Sequence, residues 1–334
     1  MTDPTSTTTI GAASHPPRAS IAWRPVVVFV AVAAGLAWAV ALPLWAGDGL
    51  QSPLFRVFAV AMMFTPTIAA LVVVFFVEKP RHKARALGLV PLRPVGRLIG
   101  YLALGFVIPV VICFAALPLG AFIGVFPADF AGLSGFRQIT EWQLAQAGID
   151  ELPMPIEALA ALQIVNLVIG AFFLNLVPAL GEEIGWRGWL LPKLLPLGPW
   201  AAIGLSGVIW GLWHAPLILL GYNYPGTPGW LAILAMIALS TVIGGVFGWL
   251  RLRGGSVWPA ALAHSTFNAA ATLYVLFVAE NSVLDPLHAT VTGWTGWIVP
   301  AVLVVFLVLL GRFRPVTAPP SSVGLDGSPT RTVA

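Results

Sequence analysis

The chain has 334 residues, of which 58% are hydrophobic and only 9% charged, with a formal net charge of +4. Mean hydropathy is +0.91, whereas soluble domains carry roughly a quarter charged residues. A soluble globular fold is therefore excluded, the small positive charge calls for no nucleic-acid partner, and the single cysteine, Cys113, excludes a disulfide within the chain.

Residues 1–22, rich in Thr, Ser, Ala and Pro, read as a disordered tail. The apolar run after Arg24 is too long for a secretory signal, and no small-residue cleavage site clearly ends it. Windows long enough to cross a bilayer, about 20 residues each, follow near 25–46, 54–77, 98–126, 158–180, 200–220, 229–250, 256–279 and 292–311. The expected fold is all-α: a polytopic transmembrane helical bundle of about eight spans within residues 23–314. A polar, disordered tail follows over 315–334.

If the first span leaves the cytoplasm, the N-terminus, 78–97, 181–199, 251–255 and the C-terminus lie inside. Those segments hold 15 of the 17 basic residues, leaving only Arg56 and Arg137 outside. The positive-inside rule thus predicts both termini cytoplasmic, in a multi-pass protein of the cell membrane. The basic run "KPRHKARALG" at 79–88 reads as an orientation signal that touches anionic lipid head groups. In the long outer loop 127–157, "FRQITEWQLAQAG" reads either as a short helix on the membrane surface or as a solvated connector. No short-period repeat, Gly-rich phosphate loop or heptad array occurs.

Most charges sit at span ends, where they cost little. Three segments are exceptions: "GEEIGWRGWLLP" (181–192), "VIWGLWHAPLIL" (208–219) and "VWPAALAHSTFNAA" (257–270). Ionisable groups at membrane depth are costly and usually functional. Glu183 and Arg187 are four apart, so they share a helix face and can pair, leaving Glu182 on a neighbouring face. Trp210 and His214 have the same spacing, so the indole can wall the imidazole. His264 and Asn268 repeat it. Three such faces would gather carboxylate and amide oxygens and two imidazoles in one water-accessible pocket.

A carboxylate and an imidazole can together deprotonate water, while a second imidazole and an amide donate to an oxyanion. Alternatively, two histidines and a carboxylate (Glu182, His214 and His264) can bind a divalent metal such as Zn²⁺. Both routes hydrolyse an acyl bond. The bland readings are a histidine that bonds between helices, a helix-end ion pair, and a charge relay in a transporter.

E-E-x-x-x-R, aromatic-x-x-x-His and His-x-x-x-Asn on neighbouring spans resemble the CPBP family of intramembrane proteases. That group holds the type II CAAX prenyl endopeptidases and the bacteriocin-processing and self-immunity (Abi) proteins. The resemblance covers about residues 160–275, with a protease-like core at 158–280. Trp210 stands where the family usually has Phe. The resemblance implies a helical membrane endopeptidase with a cavity open to the cytosol. Glu182 would activate water with help from His214, His264 and Asn268 would stabilise the oxyanion, and Glu183 and Arg187 would orient the site. The family is labelled metalloprotease, and a metal-free glutamate mechanism has also been proposed for it. No H-E-x-x-H is present here. Partners would be membrane lipids and a membrane-associated peptide, prenylated CAAX-type or bacteriocin-like.

One rival resembles the rhomboid pattern, with Ser206 of "GLSG" as nucleophile and His264 as its base. Others are a transporter and a non-catalytic immunity or binding protein using the same polar cluster. A straight helix over 158–195 would measure roughly 57 Å. It must therefore break near Pro178 or Gly181, after which "GWLLPKLLP" lies in the interface or dips back.

Overall fold

A computed structural model of the protein describes residues 21–314; both expected tails lie outside the described residues, apart from residues 21 and 22. Within them the fold is helical, and β-structure amounts to one isolated bridge, Ala128 to Val278. The main helices are α1 (Trp23–Ala46), α2 (Phe55–Met63), α3 (Thr65–Val72), α4 (Val95–Ile123), α5 (Ser134–Gln146), α6 (Ile156–Ile169), α7 (Leu176–Glu183), α8 (Pro199–Trp213), α9 (Gly229–Gly254), α10 (Trp258–Ala270) and α11 (Trp294–Leu309).

Each apolar window of the sequence falls on helix. Five segments are long and apolar enough to cross a membrane: Trp23–Ala46, Phe55–Glu78, Val95–Ile123, Ile156–Leu174 and Gly229–Gly254. Helices α8 and α11 are apolar but shorter. The chain is thus a multi-pass membrane protein. Prolines inside helices, such as Pro43, Pro109 and Pro300, are tolerated because neighbouring helices re-satisfy the freed carbonyls.

Helix α10 is the hub, packing on α4, α7 and α9, while α8 packs on α9. Contacts between loops gather 78–97, 181–199 and 251–257 at one end: Lys193 Nζ bonds Glu78 at 2.7 Å and Val257 N–H donates to the Gly88 carbonyl at 2.8 Å. The other end joins 127–146 to 277–281, where Gln138 bonds Asn281. There "FRQITEWQLAQAG" is helical, as part of α5. Its first turn is capped by Asp129, whose carboxylate accepts from the Gly132 and Ser134 N–H groups. These bonds, with that to the Ser134 side chain foremost, hold the Asp129 carboxyl below its ordinary range.

The break expected near Pro178 or Gly181 falls earlier. The helix widens into a π-type turn over Gly170–Leu174, kinks at Asn175 and restarts as α7. A helical proline lacks its N–H and crowds the carbonyl four residues before it; for Pro178 that is Leu174, so the break sits one turn upstream. Past the glutamates the chain stays helical. It continues as wide π-type turns over Ile184–Leu190, with Gly185–Leu191 buried. Trp189 stacks on Phe29 of α1 at 4.9 Å, and Trp186 meets the same ring edge-on. Residues 185–191 are therefore no solvated loop, and Arg187 is not a surface cation.

The glutamates are held this deep by close backbone approach. A Cβ on Gly185 would stand 2.5 Å from Pro66 Cβ and 2.6 Å from its carbonyl. Gly185→Ala is therefore expected to destabilise the protein by about 1–3 kcal/mol through overpacking. The check is a fall in the thermal unfolding midpoint in detergent; an unchanged midpoint would mean that the α3 contact yields freely.

Candidate functional site

Sequence separation disappears at the centre of the bundle. Helix α7 supplies Glu182 and Glu183, the wide turns after it Trp186 and Arg187, α8 Trp210, and α10 His264. Glu182, Glu183, Arg187 and His264 are all buried, Glu183 with 0% exposure.

The two neighbouring carboxylates have different surroundings. Glu183 Oε1 accepts from Arg187 Nη1 at 2.7 Å and faces His264 Nδ1 at 2.9 Å. Its Oε2 is buried without a hydrogen-bond partner among the described residues. Glu182 Oε2 accepts from two indoles, Trp210 Nε1 at 2.7 Å and Trp186 Nε1 at 3.2 Å. Glu182 thus keeps one oxygen for other work, while Glu183 ties α7 to α10 through His264 and neutralises Arg187.

Aromatic rings complete the enclosure. The Arg187 guanidinium lies 4.0 Å over the Trp210 ring and 5.4 Å from that of Phe247, a cation–π setting suited to a planar cation. His264 stacks on Phe247 at 5.5 Å and meets Trp210 edge-on at 5.4 Å. His214 caps α8: its Nδ1 bonds the Trp210 carbonyl at 2.8 Å. A carbonyl only accepts, so that nitrogen carries the proton, and Nε2 of a neutral ring is left with its lone pair. His264 Nδ1, facing a carboxylate, likewise carries a proton.

The residues singled out by spacing divide as follows. Glu183 and Arg187 pair as their spacing implies. Trp210 does flank His214, at 5.6 Å, and does more, since its indole holds Glu182. Asn268 is half-buried one turn beyond His264 and makes no side-chain hydrogen bond among the described residues. Ser206 Oγ donates to the Ile203 carbonyl at 3.1 Å, and the nitrogen that His264 commits goes to Glu183, so the pair forms no nucleophile–base hydrogen bond. For a metal, Glu182, His214 and His264 would have to converge. No group of three His, Cys, Asp or Glu side chains among the described residues is placed to hold one.

Two participants were missed. Trp186 stands four residues after Glu182, the spacing already used for Glu183 and Arg187, so it was legible. Phe247 carried no signal, being one apolar residue among many in α9. The Trp210 bond can be tested separately: Trp210→Phe keeps an aromatic wall but removes one donor to a carboxylate. The expected cost is about 1.5–3 kcal/mol, read as a lowered unfolding midpoint with the helical content unchanged.

The site thus defines a class of protein, a helical membrane protein with an acid–imidazole centre closed inside its bundle. Residues 164–270 match the family model described as Type II CAAX prenyl endopeptidase Rce1-like. This is the group that the three motifs resemble, and the matched segment holds every one of the motif residues. A stretch of 57 residues is 39% identical to a Methanococcus maripaludis protein named CAAX prenyl protease 2, covering 17% of this chain and 21% of that protein. The chain therefore spans about a fifth of the length of the curated relative it matches.

Proposed function

We propose that this protein is an intramembrane endopeptidase that hydrolyses peptide bonds of membrane-associated substrates, with Glu182 as the water-activating base. The observation that carries this reading is the contrast between the two glutamates. Glu183 is spent on Arg187 and His264, whereas Glu182 is held through one oxygen and keeps the other.

In the proposed reaction Glu182 takes a proton from water, assisted by the lone pair of His214 Nε2, as the water oxygen bonds to the scissile carbonyl carbon. The resulting oxyanion accepts from His264 Nε2–H and the Asn268 amide. Glu183 stabilises the imidazolium this requires, and Arg187 fixes Glu183. The proton then passes to the leaving nitrogen as the C–N bond breaks. The nine basic residues that 78–97, Lys193 and 251–253 bring to one end of the bundle support a cytoplasmic face there, in a cell membrane. Prenylated CAAX-type peptides and bacteriocin-like leaders are the substrate classes to supply.

The test is cleavage of membrane-tethered peptides of both classes by the purified protein in lipid. Wild type is compared with Glu182→Ala, His264→Ala and Ser206→Ala, each with and without chelator. Loss in the first two variants and retention in Ser206→Ala is the expected pattern. Activity that survives Glu182→Ala overturns the mechanism, loss confined to Ser206→Ala supports a serine protease, and loss of wild-type activity with chelator assigns a metal.

A further inference from the structure

Three consecutive residues of α3, Thr65, Pro66 and Thr67, stand outside the residues 164–270 that match the family model, yet they touch both arms of the glutamate centre. Thr65 is 2% exposed, and its Oγ1 accepts from Trp213 Nε1 at 3.0 Å. Thr67 Oγ1 donates to the Gly181 carbonyl at 2.5 Å. Trp213 immediately precedes His214, and Gly181 immediately precedes Glu182. Between the two threonines, buried Pro66 is the residue on which Gly185 closes, a Cβ there meeting Pro66 Cβ at 2.5 Å.

These bonds are not the local kind. A threonine hydroxyl in a helix commonly bonds back to a carbonyl three or four residues earlier. Here both reach across to other helices, over 148 and 114 residues of sequence. Pro66 sits in the first turn of α3, where its missing N–H leaves no helical bond unmade and its fixed φ stiffens the start of the helix. Covalent geometry carries this order into the centre. A peptide unit is planar, so holding the Gly181 carbonyl also holds the Glu182 nitrogen and Cα. On the other arm the Trp213 ring meets the His214 imidazole edge-on at 4.7 Å, so a fixed indole is a fixed wall for that ring.

We infer that Thr65 and Thr67 are positioning residues that register Glu182 against His214. One stiff edge of α3 holds the residue before each of them, and so sets the separation of the base and the imidazole that assists it. Both hydroxyls are committed to Trp213 and Gly181, so they act through those residues and not on the substrate. The inference rests on the proposed roles of Glu182 and His214. Water activation needs such groups held to within about 0.5 Å, and a misplacement of about 1 Å costs roughly 10²-fold in rate.

The experiment compares Thr65→Val and Thr67→Val, which keep the branched shape and lose the hydroxyl, with Thr65→Ser and Thr67→Ser, which keep the hydroxyl. Steady-state cleavage of a membrane-tethered peptide by the full-length protein in lipid is measured beside thermal midpoints. Each valine variant is expected to lose about tenfold or more in kcat with KM unchanged, and each serine variant to recover most of it. Thr140→Val, whose hydroxyl bonds to the Phe136 carbonyl within α5, should keep the wild-type kcat. Glu182→Gln in the same assay separates the two claims. Full activity in that variant overturns the Glu182 reading, whereas an inactive Glu182→Gln beside fully active valine variants overturns the positioning role alone. A second measurement needs no substrate: ¹⁵N spectra of the histidine and tryptophan side chains in detergent. Thr65→Val should shift the His214 ring signals, and Thr67→Val the Nε1–H signals of Trp186 and Trp210, which bond Glu182; the serine variants should stay near wild type. Should a valine variant not fold, the alanine variant gives the same readings. Signals that stay in place without the hydroxyl overturn the inference, as does a kcat lost equally with serine and valine.

Discussion

Glu182→Gln is expected to lower kcat by about 10²–10⁴, the usual contribution of a positioned general base, with little change in KM or thermal midpoint. The amide has the shape of the carboxylate and still presents an oxygen to Trp186 and Trp210, whose bonds at 3.2 and 2.7 Å hold the side chain. What it lacks is a proton acceptor on the second position. Because water activation happens only on the way to the transition state, the loss belongs in kcat. The measurement is steady-state cleavage of a membrane-tethered peptide beside a melting curve of the same sample. A variant within about tenfold of wild type would remove Glu182 from this role.

Glu183→Ala is expected to lose about 3–5 kcal/mol of stability, the cost of stranding one member of a buried ion pair. Arg187 is only 3% exposed and would remain charged between the rings of Trp210 and Phe247. His264 would lose the partner that orients it. The double variant Glu183→Leu/Arg187→Leu strands neither charge and is expected to recover part of the midpoint while staying inactive. Glu183→Gln keeps an acceptor for both neighbours and should fall between. Unfolding followed in detergent for the three variants decides the matter. If the double variant melts no higher than Glu183→Ala, the cost lies in packing and not in charge.

Five of the eight windows were legible as spans because bilayer thickness demands long apolar runs, while the other three land on the shorter helices α8, α10 and α11. The Glu183–Arg187 bond was legible because helical spacing alone brings residues four apart together. The His264–Glu183 bond joins residues 81 apart in sequence, and no local period encodes the packing of α10 on α7. The path of 184–191 was hidden for a different reason: Trp and Leu look alike to an interface and to a protein interior. Trp210 shows a third limit. Its ring was read as a wall, yet the one nitrogen that separates it from Phe is what reaches Glu182.

The wide turns at Ile184–Leu190 also fix an angular phase. They close rings one residue larger than those of an α-helix, so the residues after them are rotated relative to a regular continuation. On one side of the segment Glu182 and Glu183 aim at α8 and α10; on the other Trp189 and Lys193 reach back to Glu78 at 3.1 and 2.7 Å. Deleting one residue between them would swing the second group by about 100° about the helix axis, carrying it off Glu78 while the acids stayed in place. The number of residues in this stretch is therefore specified as tightly as their identities, and it acts as a gauge that keeps the acidic centre and its anchor on opposite walls.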